Sequence, residues 1–518
     1  MSEAVIFALD SGTSVVKAVA FDAAGRTLAS AARPNRVEHV AGGGVEQDMA
    51  RSWRDAIAAL AELRARLPGC EVAALAVTGQ GDGTWLIDAA GEPVGPAWLW
   101  LDGRAGELVA KLRAGEAARR AFAFTGSGLN ACQQSSQLLW LKEHQPETLR
   151  RAATALHCKD WLYFNLTGIR CSDPSEACFT FGDWRRRGYA PDVLDALGLT
   201  DQRGLLPPIV DGTRQWHPLR AAAARAIGLA EGLPVVLGYV DVVCTALGGG
   251  IYGAGQSGVS ILGSTGMHLR LALREEEVRP SAEMTGYCMV FPLPGAVMQA
   301  QTNMAATLNI DWLVGLVRGA ATLAGVPGEG DILAALGTVA AHARPGALLF
   351  HPFISTAGER GPFTDAAARA AWIGIDQTMG LAELARAVFE SLGFAAQDCF
   401  AAMGGAPATL RATGGAAKSP LMRGILAACL DRPVGTVAQA EAGAAGAAMI
   451  AAVATGIFPN IQDCAARWVA PLLGRVEQPD RALAARYREL YPLYRQSYQA
   501  LQSTWRGLAI AREGLHNA

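Results

Sequence analysis

Hydrophobic and polar positions alternate at the start of the chain. Apolar residues lie at every second position or in short runs over 5–9 and 15–21, and the pattern continues from Arg26. Polar and glycine-containing turns separate these runs at residues 10–13 and 22–25. Such turns between apolar runs are typical of hairpins, so the pattern predicts a meander of three antiparallel strands.

A related pattern returns far downstream. A strand-like run over 259–262 is followed by a turn over 263–266 and a second run over 268–272. This repetition predicts two similar halves, each opening with a strand and a turn. We place the boundary at the glycine-rich stretch 248–258, which gives domains 1–247 and 248–518 and agrees with a length beyond that of one hydrophobic core.

Helical and extended segments alternate through the rest of the chain. The periodicity predicts helices over 50–67, 381–403, 419–430 and 441–455, and strands over 72–77 and 410–413. The fold class is therefore α/β, with two domains and a cleft between them.

The composition excludes some classes of partner. Hydrophobic residues make up 51% of the chain, charged residues 18%, and the formal net charge is −2. No basic run could follow a phosphate backbone or an anionic bilayer, so we expect no nucleic-acid and no membrane partner. The ten cysteines form no CxxC pair and the N-terminus carries no signal-peptide pattern, so we expect a cytoplasmic protein without zinc or disulfides.

The first turn is a candidate phosphate site. It offers glycine for close backbone approach, hydroxyl groups, a carboxylate for hydrated magnesium, and a nearby lysine. These candidate nucleotide-binding residues are Asp10, Gly12, Thr13, Ser14 and Lys17. The same residue types are common in ordinary hairpin turns, which is the alternative.

Two further turns resemble parts of a nucleotide site. A second phosphate turn, facing the first, would contact the phosphates from the opposite side; it comprises Gly263, Ser264, Thr265 and Gly266. A glycine loop before a helix would pass beneath an adenine or ribose without a side-chain clash; it comprises Gly414, Gly415, Ala416 and Ser419. A plain strand-to-helix turn is the alternative for this loop.

Asp241 follows the apolar run 233–240 and should project from a strand end. A carboxylate there could accept a proton from a substrate hydroxyl. Its alternative role is to cap a helix over 242–247. Other routes to ATP are excluded, because the sequence contains neither a GxxxxGK[ST] loop nor the paired loop motifs of protein kinases.

Together these features resemble the FGGY carbohydrate kinases, over residues 4 to about 455. The resemblance also includes Gly44–Asp48, Trp100–Arg104, Lys159–Tyr163, Gly358–Arg360 and Gly443–Ala447. It implies two ribonuclease H-like domains of the actin and hexokinase type, with a catalytic cleft between them. It also implies ATP and Mg²⁺, with Asp241 as the catalytic base and with Asp10 and Asp241 reaching the metal through water.

The segment Thr78–Trp85 looks most like the erythritol kinase branch of the family, which implies phosphorylation of a small polyol at a terminal hydroxyl. A pentulose kinase is the alternative. Two further alternatives are a non-catalytic sugar-binding protein and an ATP-driven conformational protein. The expected substrate-binding residues are Gln80, Asp82, Trp85, Asp102, Arg104 and Asp241. The alternative for Trp85 is packing in the core. The alternative for Arg104 is an ion pair with Asp102. A homodimer is a family-level expectation.

Overall fold

The computed structural model describes residues 4–253, 257–325 and 330–516. We call residues 4–253 the first half and residues 257–516 the second half. The strands of the first half are β1 (Val5–Ser11), β2 (Val15–Phe21), β3 (Thr27–Pro34), β4 (Glu38–Val40), β5 (Gly44–Gln47), β6 (Val72–Gly79), β7 (Trp85–Ile87), β8 (Ala97–Trp98), β9 (Thr154–Leu156), β10 (Gly182–Asp183), β11 (Gly188–Tyr189), β12 (His217–Pro218) and β13 (Pro234–Leu237).

Helices of the first half are α1 (Met49–Arg66), α2 (Gly106–Arg113), α3 (Glu116–Thr125), α4 (Gln134–His144), α5 (Pro146–Arg151), α6 (Cys158–Thr167), α7 (Pro174–Phe181), α8 (Pro191–Ala196), α9 (Ala221–Ile227) and α10 (Asp241–Gly248). The second half has strands β14 (Ser257–Leu262), β15 (Gly266–Ala272), β16 (Tyr287–Val290), β17 (Val297–Asn303), β18 (Leu349–His351), β19 (Ala371–Ile373), β20 (Thr409–Thr413), β21 (Val434–Val437) and β22 (Leu473–Glu477). Its helices are α11 (Thr307–Leu323), α12 (Ile332–His342), α13 (Leu381–Ala402), α14 (Pro420–Leu430), α15 (Ala442–Ala454), α16 (Ile461–Trp468) and α17 (Arg481–His516).

The main sheet of the first half has the strand order β12-β13-β6-β1-β2-β3. Strands β1, β2 and β3 pair antiparallel, as the alternating pattern predicts, while β6 and β13 run parallel to β1. The carboxyl ends of β1, β6 and β13 therefore meet at one edge of the sheet. In open α/β sheets that edge is where ligands bind.

The main sheet of the second half repeats this topology, with the order β16-β17-β15-β14-β20-β21-β22. Here β14, β15 and β17 are antiparallel, and β20 and β21 run parallel to β14. The prediction of two similar α/β halves, each opening with a hairpin, is confirmed.

The predicted helices form where caps and apolar stripes agree. Asp48 caps α1 by accepting a hydrogen bond from the backbone N–H of Arg51, and the stripe that includes Ala56, Leu60 and Leu63 is buried. Ser419 caps α14 in the same way through the N–H of Met422. Local capping and periodicity are sufficient to account for both helices.

Helix α15 of the second half lies against the sheet of the first half. It packs on β1, β6 and α10, within one continuous buried apolar cluster. Small residues allow the close approach, because a β-carbon at Gly446 would collide with the carbonyl oxygen of Cys244 and one at Gly248 with that of Ala442. The two halves thus share a core where α10 and α15 cross.

In the described ranges, no helix combines the length and the apolar character needed to cross a bilayer. The ten cysteines are free thiols, and all except the half-buried Cys70 are buried. Part of the glycine-rich boundary, residues 254–256, falls outside the described residues.

Candidate active site

Two carboxylates lie at the ligand-binding edge of the first sheet. Asp10 is near the end of β1, and Asp241 begins α10 immediately after β13. Burial raises the pKa of Asp10 to about 6 and, together with the charge of Asp10, raises the pKa of Asp241 to about 7. Two half-buried acids with raised pKa values, one of which raises the pKa of the other, form a site suited to a cation or to proton transfer.

The cap role for Asp241 is wrong. Helix α10 already begins at Asp241, Val240 occupies the capping position, and no side-chain capping hydrogen bond is made. The Asp241 carboxylate interacts instead with the backbone N–H of Val242, within α10, which offsets part of the rise in its pKa.

The first phosphate turn is held by a polar network. The Thr13 hydroxyl donates to Gln80 Oε1 over 3.2 Å and accepts from Trp100 Nε1 over 2.7 Å. Gln80 in turn donates to Gln47, and Gln47 donates to Asn35. These contacts fix the turn before any ligand binds, and Ser14 beside it is exposed.

Lys17 does not supply a free charge to this turn. Its ammonium group pairs with both carboxylate oxygens of Glu441, at 2.8 and 3.0 Å, just before α15. This ion pair joins the two halves, and the contact of Lys17 with phosphates stays a prediction.

The second phosphate turn is braced by the start of α11. The N–H groups of Ala306 and Thr307 donate to the carbonyl oxygens of Ser264 and Gly263. The Ser264 side chain is exposed and Thr265 is half-buried, so both hydroxyls are accessible. Ser264, Thr265 and the neighbouring Gly263 therefore remain candidates for phosphate contacts.

The glycine loop over 414–416 has two faces. Gly414 has φ +90°, and a β-carbon there would collide with the carbonyl oxygen of Leu262, next to the second phosphate turn. Its glycine is required by backbone packing. At Gly415 no atom lies within 4 Å of the β-carbon position, so this residue presents an open surface on which a flat ring can rest.

Asp82 is a buried carboxylate on the Gly81–Gly83 loop. Its backbone is left-handed, with φ +54°, and its N–H donates to Glu176 Oε1 over 2.7 Å. Burial raises the pKa of Asp82 to about 6. One carboxylate oxygen, Oδ1, has no hydrogen-bond partner in the described part of the chain, which suits it to a ligand hydroxyl.

Three other expected substrate residues make contacts that stabilise the fold. Trp85 is fully buried in the core of the first half, which is the packing role. Arg104 pairs with Asp102 and Glu46 and lies over the ring of Trp98. Asp102 also accepts from the N–H of Val45, so this ion pair orders the loops around the site.

A cluster of buried charged residues contacts the Asp82 loop through Glu176. The sequence did not predict that its members lie together. Lys159 lies within ion-pair distance of Asp160, Asp173 and Glu176, at 2.9, 2.7 and 3.6 Å. Burial raises the pKa of Glu176 to about 7. The motif beginning at Lys159 and including Asp160 was visible in the sequence, but the other two acidic partners, Asp173 and Glu176, come from another segment, at the start of α7.

A cavity of about 1170 Å³ also lies between the halves, lined by residues that include Arg187, Asp211, Leu293 and Val453. None of the site residues expected from the sequence lines it. The carboxylates and phosphate turns thus mark a different location.

Models of protein families match both halves of the chain. Residues 5–248 match the N-terminal domain, and residues 258–455 the C-terminal domain, of the FGGY family of carbohydrate kinases. The chain belongs to the FGGY family of carbohydrate kinases. It is thus a phosphotransferase acting on a small sugar or polyol, as the resemblance of the sequence implied.

Two kinases resemble the chain along almost its whole length. Erythritol kinase from Brucella abortus (strain 2308) is 51% identical over 515 residues, covering 98% of both chains. Xylulose kinase from Escherichia coli (strain K12) is 29% identical over 499 residues, covering 95% of this chain and 98% of the relative.

Solved FGGY structures share the fold. Xylulose kinase from Rhodospirillum rubrum superposes with a TM-score of 0.87 at 27% identity, covering 97% of this chain and 100% of the other. Gluconate kinase from Lactobacillus acidophilus gives a TM-score of 0.87 at 22% identity, covering 98% and 100%. The actin and hexokinase type of fold expected from the sequence is confirmed.

The residues present fit a hydrated Mg²⁺ ion. Asp10 and Asp241 offer hard oxygen ligands. The negative charge of Glu441 raises the pKa of Asp10, and that of Asp10 raises the pKa of Asp241. In the described ranges, no group of three or more potential ligand side chains comes together. Two carboxylates leave room for the water and phosphate oxygens that Mg²⁺ prefers to keep.

Proposed function

We propose that the protein transfers the γ-phosphoryl group of MgATP to a terminal hydroxyl of erythritol, giving erythritol phosphate and ADP. The observation that carries the proposal is the identity of 51% with erythritol kinase, over 98% of both chains. The xylulose kinase named above reaches 29% over a similar length. A four-carbon polyol is therefore favoured over a pentulose.

Asp241 is the proposed catalytic base. It accepts the proton of the attacking hydroxyl, the hydroxyl oxygen bonds to the γ-phosphorus, and the bond to the leaving oxygen of ADP breaks. Its raised pKa of about 7 suits a base that gains and loses a proton near neutrality. Because phosphoryl transfer has a loose transition state in most analyses, alignment should matter as much as basicity.

The phosphates are proposed to lie between the two hairpin turns. Thr13 and the N–H groups near Gly12 contact them from one side, and Ser264 and Thr265 from the other. Gly415 and the loop before α14 form the surface for the adenosine. When bound, Mg²⁺ would neutralise phosphate charge, and Asp10 and Asp241 are the residues that would hold it through water.

Asp82 is proposed to bind substrate hydroxyls. Its Oδ1 atom is buried without a partner in the described part of the chain, so a hydroxyl donor there would satisfy it. Gln80 immediately precedes this loop and accepts a hydrogen bond from Thr13, which supports a proposed position between the polyol and the phosphate turn.

The test is ADP release by the purified protein with MgATP across erythritol, threitol, glycerol, xylitol, xylulose and ribulose. We expect turnover to be strongest with erythritol and to fall by at least about 10²-fold in Asp241→Asn, the usual scale for a lost general base. Asp398→Asn, which neutralises a buried carboxylate of the second half that accepts from Tyr491 and Tyr498 and leaves Asp241 intact, is the matched carboxylate control.

A preference for a ketose would replace erythritol by a pentulose as substrate. ADP release that no acceptor stimulates would contradict the kinase proposal and indicate a conformational ATPase. The homodimer expected from the family and the division at residues 247 and 248 stay predictions, which light scattering and limited proteolysis would check.

A further inference from the structure

The second half contributes a side chain to the Asp82 site. Tyr287, at the start of β16, donates a hydrogen bond from its hydroxyl to Asp82 Oδ2 over 3.2 Å. The same hydroxyl accepts a hydrogen bond from Asn130 Nδ2 over 3.1 Å. Because the hydroxyl accepts from Asn130, its single phenolic proton is available to donate to Asp82.

The Tyr287 ring is held as firmly as its hydroxyl. It meets Phe179 of α7 edge to face, with ring centroids 5.4 Å apart. The residues that make these contacts, Asp82, Asn130 and Phe179, all belong to the first half. Tyr287 is therefore a residue of the second-half sheet whose side chain contacts the first half, next to the proposed polyol carboxylate.

The backbone around Tyr287 shows a built contact between the halves. The N–H of Gly128 donates to the carbonyl oxygen of Gly286 over 2.8 Å, and the N–H of Cys288 donates to the Ser127 hydroxyl over 3.0 Å. A β-carbon at Gly128 would collide with the carbonyl oxygen of Met284. The close approach thus depends on a residue without a side chain at position 128.

The charges that face Asp82 come from several elements. Cys132 contacts Oδ2 over 3.5 Å, the Arg360 guanidinium lowers the pKa of Asp82, and the Glu176 carboxylate accepts the Asp82 N–H. Asp82 and Asp241 are close enough for the former to raise the pKa of the latter. Cys132 is not a competing charge, because burial raises the pKa of its thiol well above the usual range.

We propose that Tyr287 is a positioning residue for substrate recognition: its hydroxyl occupies Asp82 Oδ2 and leaves Oδ1 directed at the polyol. The inference rests on the proposed function, because it assigns Asp82 to the substrate. It adds that the polyol pocket is complete only when β16 lies against the first half. The polyol pocket then draws on both halves, through the contacts at Gly128 and Gly286.

Tyr287→Phe is the test, because it removes the hydroxyl and keeps the ring against Phe179. We expect KM for the polyol to rise about tenfold, the usual scale for a lost hydrogen bond to a charged group, with kcat and KM for ATP nearly unchanged. Since that hydrogen bond lowers the pKa of Asp82, the acidic limb of 1/KM for the polyol should also move to higher pH.

Tyr491→Phe is the matched control. Its hydroxyl donates to another buried carboxylate, Asp398, over 2.7 Å in the second half, away from Asp82. Both variants lose one tyrosine–aspartate hydrogen bond, so a general loss of stability would affect both alike. Only Tyr287→Phe should change KM for the polyol and its pH dependence.

Both kinetic comparisons use the acceptor on which the wild-type protein is most active. An inactive wild-type protein would contradict the proposed function itself. An active wild-type protein whose KM for the acceptor is unchanged in Tyr287→Phe would overturn the inference alone. So would a rise in KM of equal size in Tyr491→Phe.

Discussion

Asp10 and Asp241 place two acidic groups with raised pKa values next to each other. Their pKa values, about 6 and about 7, exceed the value of 3.8 that such a carboxyl has when exposed. Between about pH 4 and pH 7 the native state therefore binds more protons than the unfolded state. Stability from this pair is present at the acidic end and is lost as pH rises through the native pKa values.

We predict that Mg²⁺ stabilises the protein more at pH 8 than at pH 5, because a cation binds the ionised pair and competes with protons at lower pH. The measurement is Tm by scanning fluorimetry with and without MgCl₂ at both pH values. Asp10→Asn should lose most of the difference. An equal rise in Tm at pH 5 and pH 8 would contradict a Mg²⁺ site on these carboxylates.

Single residues were predictable where a local rule chose them. The turns at Asp10–Thr13 and Gly263–Gly266 follow from residue types that only a few backbone geometries favour. The Lys17–Glu441 pair was not predictable, because its members are 424 positions apart. Tyr287 was missed for the same reason, since 205 positions separate it from Asp82 and no local pattern marks it.

At the scale of elements, the crossing of α10 and α15 depends on small residues. Gly446 lies where any β-carbon would meet the carbonyl oxygen of Cys244. The sequence predicted α15 as an alanine-rich helix over 441–455, and the helix is observed over Ala442–Ala454. Its partner could not be predicted, because an apolar helix with small residues all round gives no preferred face to read.

We predict that Gly446→Ala destabilises the protein by about 1–3 kcal/mol, the usual cost of overpacking a core. Chemical denaturation would measure the loss. The matched control is Gly424→Ala in α14, where no atom lies within 4 Å of the β-carbon position. There the same change should stabilise the helix by about 0.5–1 kcal/mol. Similar effects at both sites would argue against a tight crossing.

At the scale of the whole molecule, the two sheets repeat one topology but do not form separate cores. Strands β1 and β6 of the first half are covered by α15, which comes from beyond residue 440. The repeat could be predicted from two hairpins about 250 residues apart, as the strand bounds of β1 and β14 show. The shared core could not be predicted, since it arises from contacts between elements far apart in the sequence.

We predict that a fragment of residues 1–247 does not fold stably by itself. Without α15, the buried apolar surfaces of α10, β1 and β6 would be open to water. Soluble yield and circular dichroism of the fragment would be compared with those of the full chain. Co-expression with residues 248–518 should restore solubility if the missing cover is the cause. A fragment that is soluble and cooperatively folded alone would contradict this view.

The contact of Tyr287 with Asp82 also bears on how substrate preference can change during evolution. Asp82 and Tyr287 are encoded in different halves of the chain, so under the roles proposed for them neither half would carry the specificity by itself. Recombination that joins the first half of one kinase to the second half of another would separate the pair. New preferences in this lineage should therefore arise by paired substitutions, and chimeras should recover activity only when both positions descend from the same parent.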